Sequence, residues 1–124
     1  MLFDEKGRAS MRILHLTNFV GKRSFGVGPV ALNLARGQQA LGHHVAIWSC
    51  DSETEARELE GQNRLQPNTI RTFPILGPRR LAYSPAMEHA IVRCADEFDV
   101  VHMLLHFVTL HQLQWTNYRM AYDF

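Results

Sequence analysis

Residues 11–49 constrain the fold more than any other stretch, because strand, glycine-bearing loop, helix and strand signals follow one another there without a gap. Arg12-Ile13-Leu14-His15-Leu16-Thr17 is an apolar-rich run of strand length, as expected of a parallel strand covered on both faces. Gly28-Pro29 opens a helix, with Pro29 suited to the first helical position, where its missing N–H has no partner to lose. Val30, Ala31, Leu34, Ala35 and Leu41 then recur at helical spacing, and Gly42 stands where a left-handed C-terminal cap is needed. Val45-Ala46-Ile47-Trp48 follows as a second strand. Elements this close in sequence predict a right-handed βαβ unit. Such a unit sets the 26–29 loop and the helix N-terminus at the carboxyl edge of the sheet, the edge where ligands bind in open α/β folds.

The rest of the chain continues the alternation. Ser52-Glu53-Thr54-Glu55 matches a capping box and opens a helix whose only apolar residues between Glu53 and Glu60 are Ala56 and Leu59, so its charges read as a solvated face. Thr69-Ile70-Arg71-Thr72-Phe73 reads as a third strand near a sheet edge, since Pro74 cannot donate to a ladder. A loop over 76–83 with the Gly77-Pro78 turn leads to Ser84-Pro85, a cap and proline that start a third helix with Met87, Ala90, Ile91, Cys94 and Ala95 as its buried stripe. Asp99-Val100-Val101-His102-Met103-Leu104 is the fourth strand. Beyond Phe107, Leu110, Leu113 and Met120 point to a helix, while the aromatic tail has no clear period. The expected class is therefore α/β, a Rossmann-like parallel sheet with helices on both faces.

Length and charge narrow the function. A chain of 124 residues with 46% hydrophobic side chains fits one domain with one core, here residues 11–124. Residues 1–10 read as a disordered leader without the apolar stretch of a signal peptide, with Met11 as an alternative start. A formal net charge of +1 lacks the strong field of a nucleic-acid binder. Cys50 and Cys94 show no CxxC spacing and fit reduced thiols in a cytosolic protein. The sequence stops soon after the fourth strand, whereas ligand-binding doubly wound domains continue, so an N-terminal fragment is expected.

A parallel sheet gathers the segments that follow its strands on one rim. That collects Lys22, Arg23, Gly26 and Gly28 after the first strand, Asp51 after the second, Arg79 and Arg80 after the third, and His102 and His106 at the fourth. Glycines admit close backbone approach, a helix N-terminus carries about half a positive charge, and two basic pairs share the rim, so the crevice is expected to favour an anion, most simply a phosphate. Set against this, the glycines alone can make a turn and the basic pairs can be solvated. Gly26-Val27-Gly28-Pro29-Val30-Ala31 also satisfies GxGxxA, with Asp51 at the distance of a ribose-binding acid, which leaves a dinucleotide-dependent oxidoreductase or epimerase as a second reading. Residues 19–25, however, separate the motif from its strand, and Pro29 lacks a donor beside the phosphates. Among the seven histidines only His102 and His106 can converge, with no cysteine or carboxylate at ligand spacing, so no metal is expected; His102 as a satisfied core histidine is the alternative. Cys50 has no base nearby and reads as a buried thiol.

Taken in order, Met11 to Leu16, Gly26 to Arg36, Leu41-Gly42-His43-His44-Val45, Tyr83-Ser84-Pro85-Ala86 and Asp99-Val100-Val101-His102 resemble the N-terminal domain of bacterial GT-B glycosyltransferases, the group that includes phosphatidylinositol mannosyltransferases and sucrose synthases. The resemblance implies transfer of a sugar from a nucleotide-sugar donor, acting as cosubstrate, to a sugar or lipid-linked acceptor. It implies a cleft between two Rossmann-like lobes, the second supplying most donor contacts, and no bound metal. It places Gly26, Val27 and Gly28 near the donor phosphates or the acceptor; the placement of the loops on the rim then puts Lys22, Arg23, Arg79 and Arg80 on the acceptor side. His102 matches one family histidine; the family's second, two residues on and close to the reacting sugar, falls on Leu104 here, and His106 substitutes for it only if the strand end is rearranged. A cytoplasmic location, with peripheral contact to the inner membrane face as one option, goes with that group. A non-catalytic module of the same fold is the third reading.

Overall fold

The structure is a computed structural model that describes residues 2–3, 9–22, 24, 26–78, 83–104 and 120–122. Its elements in chain order are β1 (Leu2–Phe3), β2 (Ala9–Ser10), β3 (Arg12–Thr17), α1 (Val27–Ala40), β4 (His44–Ser49), α2 (Glu53–Gln62), β5 (Ile70–Thr72), α3 (Pro85–Cys94) with a 3-10 turn over Ala95–Glu97, β6 (Val100–Leu104) and β7 (Met120–Tyr122). Five strands form one sheet in the order β5-β4-β3-β6-β7, and every pairing in it is parallel. Counted from β3, that is the 3-2-1-4-5 order of doubly wound domains, with the switch point between β3 and β6.

The two faces follow from strand alternation. Leu14, Leu16, Trp48, Val101 and Met103 pack with Met87, Ala90 and Ile91 of α3. Ile47 and Ile70 pack on the other face with Ala31, Leu32 and Ala35 of α1 and Ala56 of α2. Helices therefore cover both faces, as the near-continuous apolar strands require.

Several local signals behave as expected. Gly42 sits at φ +91°, and the His43 and Gly42 N–H groups donate to the Gln38 and Gln39 carbonyls at 3.0 and 2.9 Å, which closes α1 as a complete Schellman turn. The Ser84 Oγ accepts the Met87 N–H at 3.3 Å, with Pro85 at the first position of α3; such a cap contributes about 1 kcal/mol. β5 is the sheet edge, as Pro74 demanded.

Other details differ. α1 begins at Val27, capped by Gly26, so Pro29 occupies the third helical position rather than the first; the first-turn N–H groups lack intrahelical partners anyway, so the ring costs nothing there. Only half of the capping box forms: the Ser52 Oγ accepts the Glu55 N–H at 3.2 Å, while the Glu55 carboxyl turns toward Asp51. Glu60 is not on a solvated face but buried, accepting the Ile70 N–H at 2.7 Å and pairing with Arg57 at 3.1 Å, so the α2 side chain satisfies a backbone donor of the edge strand. Met120 lies on a strand rather than a helix, while the Leu110 and Leu113 positions fall outside the described residues. In the leader, Leu2–Phe3 and Ala9–Ser10 form a short antiparallel ladder, and the Ser10 Oγ donates to the Gly42 carbonyl at 2.9 Å.

Candidate functional site

Thr17, Ser49 and Thr72 end β3, β4 and β5. Because these strands are parallel, residues 18–22, 50–52 and 73–78 follow them at one edge, as the sequence reading required. Short hydrogen bonds join the first two segments and fold the segment after β5 back on itself. The Cys50 N–H donates to the Asn18 carbonyl at 2.8 Å, the Ser84 Oγ donates to the Pro74 carbonyl at 2.6 Å, and the Leu76 N–H donates to the Tyr83 carbonyl at 2.8 Å. Such cross-links hold the rim's backbone in place before anything binds.

The two glycines of the loop serve different ends. Gly26, at φ +97°, caps α1 in a conformation that other residues rarely adopt, and a Cβ there would meet nothing within 4 Å among the described residues. No acidic residue lies in the first turn of α1, so its partial positive charge is not offset from within the helix. Gly28 is buried, and a Cβ there would overlap the Val20 carbonyl oxygen and lie 2.5 Å from the Ser24 Oγ. Gly28 is thus a packing glycine that lets the helix lie on its own loop. Val27 is half-buried and donates its N–H to the Ser24 carbonyl at 3.1 Å, and Lys22 is exposed on the same loop. Arg23, Arg79, Arg80 and His106 fall outside the described residues.

Two carboxyls lie beside Lys22 among the described residues of the rim. Asp51 is buried, and its two oxygens accept the Val20 N–H at 2.8 Å and the Gly21 N–H at 3.3 Å. Its hydrogen-bonding capacity is turned toward the β3 loop, which removes the motivation for reading it as a ribose ligand. Glu55 lies against Gly21, where a Cβ would overlap its carboxylate. Its carboxyl is pushed above the ordinary value of 4.5 by the hydrogen bond to Asp51, by burial and by the Asp51 charge, against the Lys22 backbone N–H and ammonium. The described rim is therefore mixed in charge rather than simply basic. Sequence spacing assigned the Glu55 carboxyl to a capping box, and in the fold it meets Asp51 instead.

His102 lies two residues short of the end of β6, directly across from His15 in the register. Its Nδ1 is 3.0 Å from the Nδ1 of His15, whose Nε2 is 2.7 Å from the Gln38 Oε1. The structure thus engages His102 inside a face of the sheet, in the manner of the core histidine considered from sequence. Cys50 is buried, and desolvation raises its thiol to about 11, as a non-nucleophilic thiol should be. A separate open groove, about 450 Å³, lies at the amino ends of the strands between Arg12, His44, Val45, Ala46, Glu97 and Phe98. Ligands of open α/β sheets bind at the other edge.

Strand order, loops gathered on one edge and a glycine-opened helix beside the switch point define a Rossmann-like domain. Residues 25–116, 92 of the 124, match the profile of the glycosyl transferase 4-like domain. The chain belongs to that family, a GT-B glycosyltransferase domain. No curated protein and no solved structure gives a significant match. Among the described residues, no helix is long and apolar enough to cross a membrane.

Proposed function

We propose that the chain is the acceptor-side lobe of an enzyme that moves a sugar from a nucleotide-sugar donor to a sugar or lipid-linked acceptor in the synthesis of a glycan or glycoconjugate. The observation that carries this is the coincidence of the family match with a rim at which α1 opens on Gly26, an N-cap residue that has no side chain to cap the helix itself. Transfer releases a nucleoside diphosphate, so catalysis needs donors and cations where negative charge gathers, and an acceptor held in line with the anomeric carbon. In this assignment the Gly26 end of α1 faces the phosphates, and Gly28 supports it by seating the helix on its loop. Lys22, with Arg23, Arg79 and Arg80, recognises the acceptor. A second Rossmann-like lobe supplies most contacts to the donor.

The test is a titration of the ¹⁵N-labelled chain with UDP- and GDP-sugars, and with NAD as control. Chemical-shift changes confined to residues 18–28, 50–52 and 73–78 support the assignment. Changes at the opposite groove, around Arg12 and His44–Ala46, overturn the site. Saturable NAD binding that Asp51→Ala abolishes overturns the reaction in favour of dinucleotide chemistry.

A further inference from the structure

We infer that Arg57 and Glu60 of α2 guard the β5 edge of the sheet, holding its outward backbone groups so that β5 of a second copy of this chain cannot pair with it. β5 bonds β4 through alternate residues: the Ile47 N–H donates to the Thr69 carbonyl at 2.8 Å, and the Phe73 N–H donates to the Ser49 carbonyl at 2.9 Å. Ile70 and Thr72 therefore turn their N–H and C=O groups away from β4, toward the side on which a further strand would add. α2 lies along that side, with Glu53, Arg57 and Glu60 at i, i+4 and i+7 on one face of the helix.

The Glu60 Oε2 accepts the Ile70 N–H at 2.7 Å, the Arg57 guanidinium donates to the Ile70 carbonyl, and the Glu60 Oε1 lies 3.1 Å from the Arg57 Nη1. Both backbone groups of Ile70 thus end on one ion pair. Glu53 continues the row, accepting the Thr72 hydroxyl at 3.0 Å and lying 3.4 Å from the Arg57 Nε. Arg57 also donates to the Asn68 Oδ1 at 2.7 Å, which anchors it at the start of the strand.

Hydrogen-bond satisfaction alone does not explain this arrangement. At a sheet edge water can bond the N–H and C=O groups, whereas Glu60 is 5% exposed, and a buried carboxylate is costly unless it is paired. What the ion pair adds is exclusion. An incoming strand that is to bond Ile70 has to break the pair and leave a buried carboxylate without its donors. The stretch behind the guard is of the adhesive kind, because Thr69, Ile70, Thr72 and Phe73 favour strands and Arg71 is the one charge among them. Asn68, at φ +62°, bends the chain before β5, and Pro74 has no N–H to offer after it, so both ends of the edge are closed as well. None of this depends on sugar transfer.

Dilution series of the ¹⁵N-labelled full chain test the inference. In the unaltered chain the amide shifts of residues 69–73 should not move between dilute and concentrated samples. Arg57→Met combined with Glu60→Met keeps two long helix-forming side chains and removes both charged groups. Its 69–73 amides should shift with concentration while its sedimentation mass rises toward twice that of the unaltered chain. Adding Thr72→Pro, which removes an outward N–H and leaves the bonds to β4, should abolish that concentration dependence. Arg57→Gln combined with Glu60→Gln keeps a hydrogen-bonding group on each side of Ile70 without the ion pair and should associate more weakly; it carries the test if circular dichroism shows the double methionine variant unfolded. A pair that served stability alone would give a lower urea midpoint and no association. Folded variants that associate no more than the unaltered chain, association that Thr72→Pro leaves in place, or concentration-dependent shifts at 69–73 in the unaltered chain overturn the guard.

Discussion

The Asp51 carboxylate accepts the Val20 N–H at 2.8 Å, so a residue just past β4 holds the loop that leaves β3. The bond is buried and joins positions 31 apart in the chain. Removing the carboxyl strands a buried donor, which costs about 1–3 kcal/mol. Asp51→Ala should lower the free energy of urea unfolding by about that amount, and Asp51→Asn, which keeps one acceptor oxygen, by less. Equal stability of Asp51→Ala and the parent would show that the loop does not depend on this clasp.

Two glycines of α1 should respond to the same substitution with opposite signs. A methyl group at Gly28 meets the Val20 carbonyl and the Ser24 hydroxyl, and overpacking of this kind costs about 1–3 kcal/mol. At Gly37, in the last turn of the helix, a methyl meets nothing within 4 Å among the described residues, so alanine should add about 0.5–1 kcal/mol through the reduced backbone freedom of the unfolded chain. Chemical denaturation of Gly28→Ala and Gly37→Ala, measured side by side, checks the pair. A loss at Gly37 or a gain at Gly28 contradicts the packing described.

Acid should weaken the fold beginning near neutrality. Burial holds the His15 imidazole below its ordinary value of 6.5, with the Gln38 bond opposing and the His102 charge reinforcing the shift. The unfolded chain then binds a proton before the folded one does, so this contribution is complete above 6.5 and shrinks as pH falls below it. Glu55 and Glu88, both held above their ordinary 4.5, act in the opposite direction at lower pH, binding protons more readily in the folded state. Asp99, held down to about 2 first by the Arg12 backbone N–H, loses its contribution only between 3.8 and that value. Urea melts between about pH 7 and 5.5 should therefore show declining stability. A flat or rising profile there excludes His15 as a neutral buried base.

The two thiols should differ in reactivity. Cys50 is buried and its thiol sits at about 11, raised by desolvation, while Cys94 is only half-buried at the end of α3. Thiolate is the reacting species, so iodoacetamide at about pH 8 should modify Cys94 first and Cys50 only as the chain unfolds. Peptide mass mapping over time provides the measurement. Early labelling of Cys50 would show an exposed or activated thiol.

Much of the fold was legible because its signals are local. Arg12–Thr17 emerges as β3 with the bounds its apolar run predicted, Gly42 takes the left-handed turn that ends α1, and Ser84-Pro85 starts α3. Each depends on a backbone preference or a periodicity expressed within a few residues. Glu60 escaped because charge in a helix predicts solvent unless a distant donor, here the Ile70 N–H, meets it. The Asp51–Glu55 contact, only four residues apart, escaped because the capping box claimed the Glu55 carboxyl for the helix start, and the tie between His15 and His102 because it joins positions 87 apart.

By itself, then, the sequence determined an alternating α/β chain whose parallel strands carry their loops to one edge, since element type and order follow from short-range periodicity and turn chemistry. Only the tertiary structure decided which polar groups meet there. Asp51 clasps the loop rather than awaiting a ribose, Gly28 serves packing while Gly26 caps α1 in a left-handed turn, and His102 meets His15, itself bonded to Gln38. Those partners are set by the register between strands and the seating of helices, and neither distance nor direction between side chains far apart in sequence is written in local pattern.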